Sequence, residues 1–99
     1  MSELSGKIIL ITGASRGIGA EAFKLAIAGG GAVILHYGKS HEEAVRLAKA
    51  AGPELALALS ADLAEPGETQ RLWNAALAWK GRIDVLVNNA AIYEPNDID

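Results

Sequence analysis

Short apolar runs alternate along the chain with longer segments of mixed polarity, and the boundaries between them fall on glycine, proline or polar clusters. The first run, residues 7–12 (Lys7-Ile8-Ile9-Leu10-Ile11-Thr12), is continuous rather than alternating, the pattern of a parallel strand covered on both faces. A helix is predicted to open near Arg16 and Gly17, carrying Ile18, Ala22, Leu25 and Ala26 at helical spacing and stopping at Gly29-Gly30-Gly31. Ala32-Val33-Ile34-Leu35-His36 repeats the buried-strand pattern, and Tyr37-Gly38-Lys39-Ser40 forms the turn after it. Ser40 with Glu43 matches a capping box for a second helix through Ala44, Val45, Leu47 and Ala48, ending at Gly52-Pro53. Residues 55–60 alternate weakly, because alanine separates the leucines, and read as a strand from their length and flanks. Ala64-Glu65-Pro66-Gly67-Glu68 supplies the acidic residues and proline of a helical first turn. That third helix is expected to turn Leu72, Trp73, Ala76 and Leu77 inward and to end near Lys80-Gly81, before a fourth strand at residues 83–87. Strands and helices that alternate throughout specify an α/β fold with a parallel sheet and right-handed crossovers.

Composition narrows the function classes. The chain has 99 residues, 51% of them apolar, with a net charge of −3. That balance argues against a nucleic-acid surface, which shows a basic face or stripe. There is no cysteine, so disulfides cannot reinforce a core this small. The first residues lack the basic and apolar regions of a signal peptide, and no apolar stretch reaches the roughly 18 residues that span a bilayer. A cytoplasmic location with no membrane partner is the default expectation. His36 and His41 have no further ligands at metal-binding spacing, and no metal is expected.

The chemistry concentrates where the first strand empties into Gly13-Ala14-Ser15-Arg16-Gly17-Ile18-Gly19. Backbone N–H groups and a helix dipole converge at such a turn and make a socket for a phosphate. Gly13 suits the sharp turn, Gly17 the close approach of a ligand, and Gly19 the packing of helix on sheet. Ser15, Arg16 and Ile18 complete the candidate contacts. A P-loop is excluded, because no Gly-Lys-Ser/Thr follows at the required spacing.

The spacing Thr12-Gly13-x-x-x-Gly17-x-Gly19 resembles the glycine motif of the short-chain dehydrogenase/reductase family. Asp62-Leu63 after the third strand, and Ile83-Asp84-Val85-Leu86-Val87-Asn88-Asn89-Ala90-Ala91 at the fourth, match in the same order. One departure is Ala91, where the family usually has glycine. The resemblance spans nearly the whole chain. It implies a Rossmann-type parallel sheet of order 3-2-1-4 with helices on both faces, the incomplete half of a doubly wound fold. Residues 1–99 are then expected to be the amino-terminal, cofactor-binding part of a longer reductase, with the fourth strand an exposed edge.

An acid after the second strand favours the free ribose of NAD, whereas cations there accommodate the extra phosphate of NADP. This chain offers His36, Tyr37, Gly38, Lys39 and Ser40, with Arg16 able to reach the same corner through its guanidinium fork. NADP is therefore expected ahead of NAD. The resemblance implies that Asp62 accepts from the adenine amino group beside the Leu63 backbone; an N-cap is the plainer reading of Asp62. Asn89 and Ala90 fall at the carboxyl end of the fourth strand, where open α/β sheets bind ligands. Asn88 reads as structural, tying strand ends together, and Trp73 and Trp79 read as core or interface residues.

Hydride transfer needs a group to protonate the substrate oxygen. In the resembling family this falls to a serine and a Tyr-x-x-x-Lys pair downstream of the fourth strand. Tyr37 is followed at that spacing by His41 and Tyr93 by Asp97, so no catalytic residue is assigned here. The resemblance implies an NADP-dependent oxidoreductase acting on a small carbonyl or alcohol substrate, its carboxy-terminal half elsewhere, and a homo-oligomer when intact. The alternative is a dinucleotide-sensing module without chemistry, which fold cannot exclude.

Overall fold

A computed structural model describes residues 3–13, 17–38 and 41–88. Within them the chain runs β1 (Ile8–Thr12), α1 (Gly17–Ala28), β2 (Ala32–Tyr37), α2 (His41–Ala51), β3 (Ala56–Ser60), α3 (Glu68–Lys80) and β4 (Val85–Asn88). All strand pairs are parallel, in the order β3-β2-β1-β4.

The continuous apolar runs are legible as strands because the sheet is covered on both faces. Side chains alternate across a strand, so β1 and β2 each feed two cores. Ile9, Ile11, Val33 and Leu35 pack on one face with Phe23 and Ala26 of α1, flanked by Leu47, Ala48 and Ala51 of α2. Ile8, Leu10, Ala32 and Ile34 pack on the other with Ala76 of α3, flanked by Leu59, Trp79 and Ile83. The outer strands are less covered, and Val85 and Leu86 of β4 remain 36% and 52% exposed.

Three expectations need correction. Leu25 does not face the core; it is 70% exposed, while Phe23 and Ala26 are buried. Apolar residues surround almost all of α1, so spacing alone leaves its phase open, and Phe23 with its larger side chain takes the inward position. Trp73 is likewise exposed, its neighbours Leu72 and Ala76 occupying the inward stripe of α3. The third helix also starts later than residues 64–68 suggest. Gly67 takes left-handed angles (φ 85°, ψ −15°) and separates Glu68 from a preceding turn in which the Glu65 N–H donates to the Asp62 carbonyl at 2.9 Å.

At the amino ends of the strands, Asp84 fastens β4 to β1. Its Oδ2 accepts the Ile8 N–H at 2.8 Å, and its own N–H donates to the Ile8 carbonyl at 2.7 Å. Arg82 donates to both carboxylate oxygens and to the Gly6 carbonyl. The Ile8 amide first, and then Arg82, hold the Asp84 carboxyl below its ordinary pKa. A depressed carboxylate favours the folded state at neutral pH, and that contribution is lost as the pH falls through the lowered pKa.

Candidate functional site

Parallel pairing brings the carboxyl ends of β3, β2 and β1 side by side, and the candidate residues lie there. Gly13 leaves β1 with φ +66°, a left-handed angle that costs an L residue roughly 1–2 kcal/mol and glycine nothing. After the turn, α1 begins at Gly17 with no acidic residue in its first turn. The first amides of a helix have no intrahelical partner, and an uncompensated positive helix end favours an anion. Gly19 is buried. Thr12, the last residue of β1, donates from Oγ1 to Asn88 Oδ1 at 3.0 Å, so Asn88 ties the ends of β1 and β4 together, as expected from the sequence.

His36 lies beneath this turn, only 4% exposed. The Gly13 N–H donates to its Nδ1 at 3.1 Å, and its Nε2 lies 2.9 Å from the Ala61 carbonyl. These partners decide the tautomer. A backbone amide can only donate and a carbonyl can only accept, so Nδ1 is bare and Nε2 carries the proton. Burial lowers the pKa of His36, opposed more weakly by the Ala61 carbonyl, which keeps the ring neutral at physiological pH.

The loop after β3 is braced from α3. The Asp62 N–H donates to Glu68 Oε1 at 3.2 Å, and Asp62 Oδ1 accepts the Ala64 N–H at 3.1 Å. Arg71 grips Glu68 through two 2.8 Å bonds and reaches the Ser60 carbonyl at 3.0 Å. Arg71, followed by the Asp62 amide, lowers the Glu68 pKa to about 2. Glu68 is therefore ionised at any physiological pH, and the brace fails only in strong acid. The pair is solvent-exposed, so its effect is to fix the loop rather than to add much stability.

Gly13, Gly17, Gly19, His36, Tyr37, Asp62 and Leu63 thus gather at one end of the sheet. Tyr37 and Leu63 are half-buried there and Asp62 is exposed. Ile18 stands in the first turn of α1, its side chain outside the description. Ser15, Arg16, Lys39, Ser40, Asn89 and Ala90 lie outside the described residues. Asp62 does not cap α3, whose N-cap is Gly67; its carboxylate closes the local turn to Ala64. The Glu68–Arg71 brace escaped sequence reasoning. Its signal, opposite charges at helical spacing just after Asp62, also fits an ordinary surface pair. Among the described residues no group of three or more His, Cys, Asp or Glu could hold a metal ion, and no helix is long and apolar enough to cross a membrane.

A parallel sheet of this order, with a glycine turn between its central strand and the first helix, defines a Rossmann-type fold. The short chain dehydrogenase family model matches residues 7–99, and the chain belongs to that family. It is 42% identical over 96 residues to an uncharacterized oxidoreductase of Methylorubrum extorquens, covering 95% of this chain and 39% of that protein. Versicolorin reductase 1 of Aspergillus parasiticus is 39% identical over 93 residues, which cover 90% of this chain and 35% of the relative. A solved short-chain dehydrogenase/reductase from Serratia marcescens superimposes with a TM-score of 0.82 at 36% identity, over 91% of this chain and 38% of that one. The chain thus spans well under half the length of these relatives.

Proposed function

We propose that the protein binds NADP(H) at the carboxyl ends of β1 to β4 and serves the reduction of a carbonyl or the oxidation of a secondary alcohol. The observation that carries the cofactor choice is the residue set at the end of β2 and in the turn after it: His36, Tyr37, Gly38, Lys39 and Ser40 contain no acid. A carboxylate there would bind the ribose hydroxyl of NAD and repel a 2′-phosphate. Lys39, with Arg16 in the glycine turn, supplies the opposite charge, and Ser40 a hydroxyl donor.

The turn itself fits such a ligand. Gly13 takes an angle that clears the strand end of side chain, and α1 opens without an acid to oppose a phosphate. When bound, the nicotinamide supplies the hydride. The backbone from Gly13 to Gly19, with Ser15 and Ile18, holds the diphosphate. In this reading Asp62 and Leu63 would contact the adenine, and Asn89 and Ala90, which follow β4 in sequence, would contribute to the same dinucleotide site. We assign no catalytic residue within these 99 residues. The uncovered Val85 and Leu86 support a sheet that continues past β4, with this chain as the cofactor-binding half of a longer reductase.

The test is the double variant Arg16→Ala/Lys39→Ala in the full-length protein. Removing two cations from one phosphate is expected to weaken NADPH binding about 100-fold, at roughly 1.4 kcal/mol per charge-assisted contact, while NADH binding changes less than about threefold. Equal losses for both cofactors, measured by calorimetric titration, would remove the 2′-phosphate assignment.

A further inference from the structure

We infer that His36 is a positioning residue for the dinucleotide site: one neutral imidazole spans from the Gly13 amide to the Ala61 carbonyl and sets the glycine turn against the Asp62 loop. The inference rests on the reading of that turn as the cofactor site. The geometry is specific. Gly13 and Ala61 belong to connections after β1 and β3, two strands that do not touch, and His36 on the intervening β2 contacts both. Its two ring nitrogens are separated by a rigid ring, so a shift of one connection is passed to the other. Farther along, the Asp62 amide is held by Glu68, and Arg71 links Glu68 back to the Ser60 carbonyl. The two connections that would grip the diphosphate and the adenine are therefore registered to each other through a single side chain.

The link works in one protonation state only. An added proton on Nδ1 would oppose the Gly13 N–H with a second N–H, so the bond that fixes the turn is lost. Alternation along β2 puts His36 on the same face as Ile34, toward α3. Among the described residues, the charged and titratable groups on the connection after β3 and the first turn of α3 are Asp62, Glu65, Glu68 and Arg71, with Tyr37 beside His36 on β2. Glu68 and Arg71 bind each other, and Asp62 holds the Ala64 amide. On β1, Thr12 and Gly13 bring no charge, and on β3 the register partner is Leu59. Lys80, Arg82 and Asp84 belong to the far end of α3 and the connection before β4, and Arg16 and Lys39 lie outside the described residues.

Sign follows from burial. The folded pKa lies below the ordinary value of 6.5, so the unfolded chain takes up the proton first. The contribution of His36 is complete above that value and is lost as the pH falls below it toward the lowered folded pKa. NADPH affinity depends on the ionisation of the folded protein alone, so the His36 contribution to it is expected to hold at the ordinary value and to fall only as the pH approaches the lowered folded pKa.

The experiment measures NADPH affinity of the full-length protein from about pH 7.5 to about pH 5.5 for wild type, His36→Leu and His36→Asn. The Asn carboxamide oxygen occupies nearly the place of Nδ1, so it can accept the Gly13 N–H without titrating. Wild-type affinity is expected to fall more steeply toward the acid end of this range than that of His36→Asn, the full loss of one hydrogen bond, about tenfold, being reached only once the ring is protonated. His36→Leu should lose about tenfold already at the higher pH. His36→Asn keeps the Gly13 bond but not the Ala61 bond, so it should bind between wild type and His36→Leu at the higher pH, with a profile shallower than that of wild type because only the 2′-phosphate still titrates. Parallel pH profiles for wild type and His36→Asn would overturn the inference, even if His36→Leu fails to fold. So would undiminished binding by a folded His36→Leu. Wild-type protein that binds no NADPH at the higher pH would mark failure of the cofactor-site reading itself, a result distinct from either.

Discussion

Gly13→Val is expected to abolish tight dinucleotide binding, with NADPH affinity falling at least about tenfold while the far-ultraviolet circular dichroism stays that of a folded α/β protein. Gly13 sits at φ +66°, where a β-branched side chain meets the following carbonyl. Valine has two ways out, and both damage the site. If the backbone holds, the strain and any loosening of the Gly13 N–H bond to His36 together cost about 2 kcal/mol of stability. If the backbone relaxes to a permitted angle, the Gly13 amide turns away from Nδ1 and the bond to His36 is lost. The stability cost then shrinks and the affinity loss grows. Thermal denaturation and NADPH titration on the same preparation separate the two.

Leu35→Ala is expected to cost about 2–5 kcal/mol of unfolding free energy, read from the urea midpoint at unchanged slope. Leu35 is fully buried on β2, packed among Val33, Ile11 and Ala56 beneath α1 and α2. Domains are stable by roughly 5–15 kcal/mol in total, so a loss of this size leaves little margin. A substitution of the same size at Leu25 is expected to change stability by less than about 0.5 kcal/mol, because that side chain is 70% exposed.

The inner strands were legible because a parallel sheet covered on two sides leaves uninterrupted apolar runs, as in Ile8-Ile9-Leu10-Ile11 and Ala32-Val33-Ile34-Leu35, whereas the strand order came from the family resemblance. The glycine turn was legible because only glycine tolerates the angle found at Gly13. Helix phase was not. In α1 apolar residues lie on nearly every side, so only packing decides that Phe23 turns inward and Leu25 outward. The start of α3 was misread because acidic residues and proline suit both a helical first turn and a loop. The left-handed angle at Gly67, invisible in composition, separates the two.

His36 marks the limit in the site itself. The sequence offers this polar residue at the end of a buried run as a candidate cofactor contact; it does not reveal that both ring nitrogens meet the backbone of neighbouring connections. The available signal was burial, since a polar group inside an apolar strand must find hydrogen-bond partners. Which partners it finds depends on the pairing of β1, β2 and β3, a long-range fact that no local spacing encodes.

The most direct measurement is an amide-resolved NMR titration of the isotope-labelled full-length protein with NADPH. The expected result is that the Gly13, Gly17 and Gly19 amides shift together and saturate, while Gly52 and Gly81, at the opposite ends of the strands, stay in place. Shifts confined to Gly52 or Gly81, or no shift at the glycine turn under saturating NADPH, would contradict the assignment of that turn as the dinucleotide site.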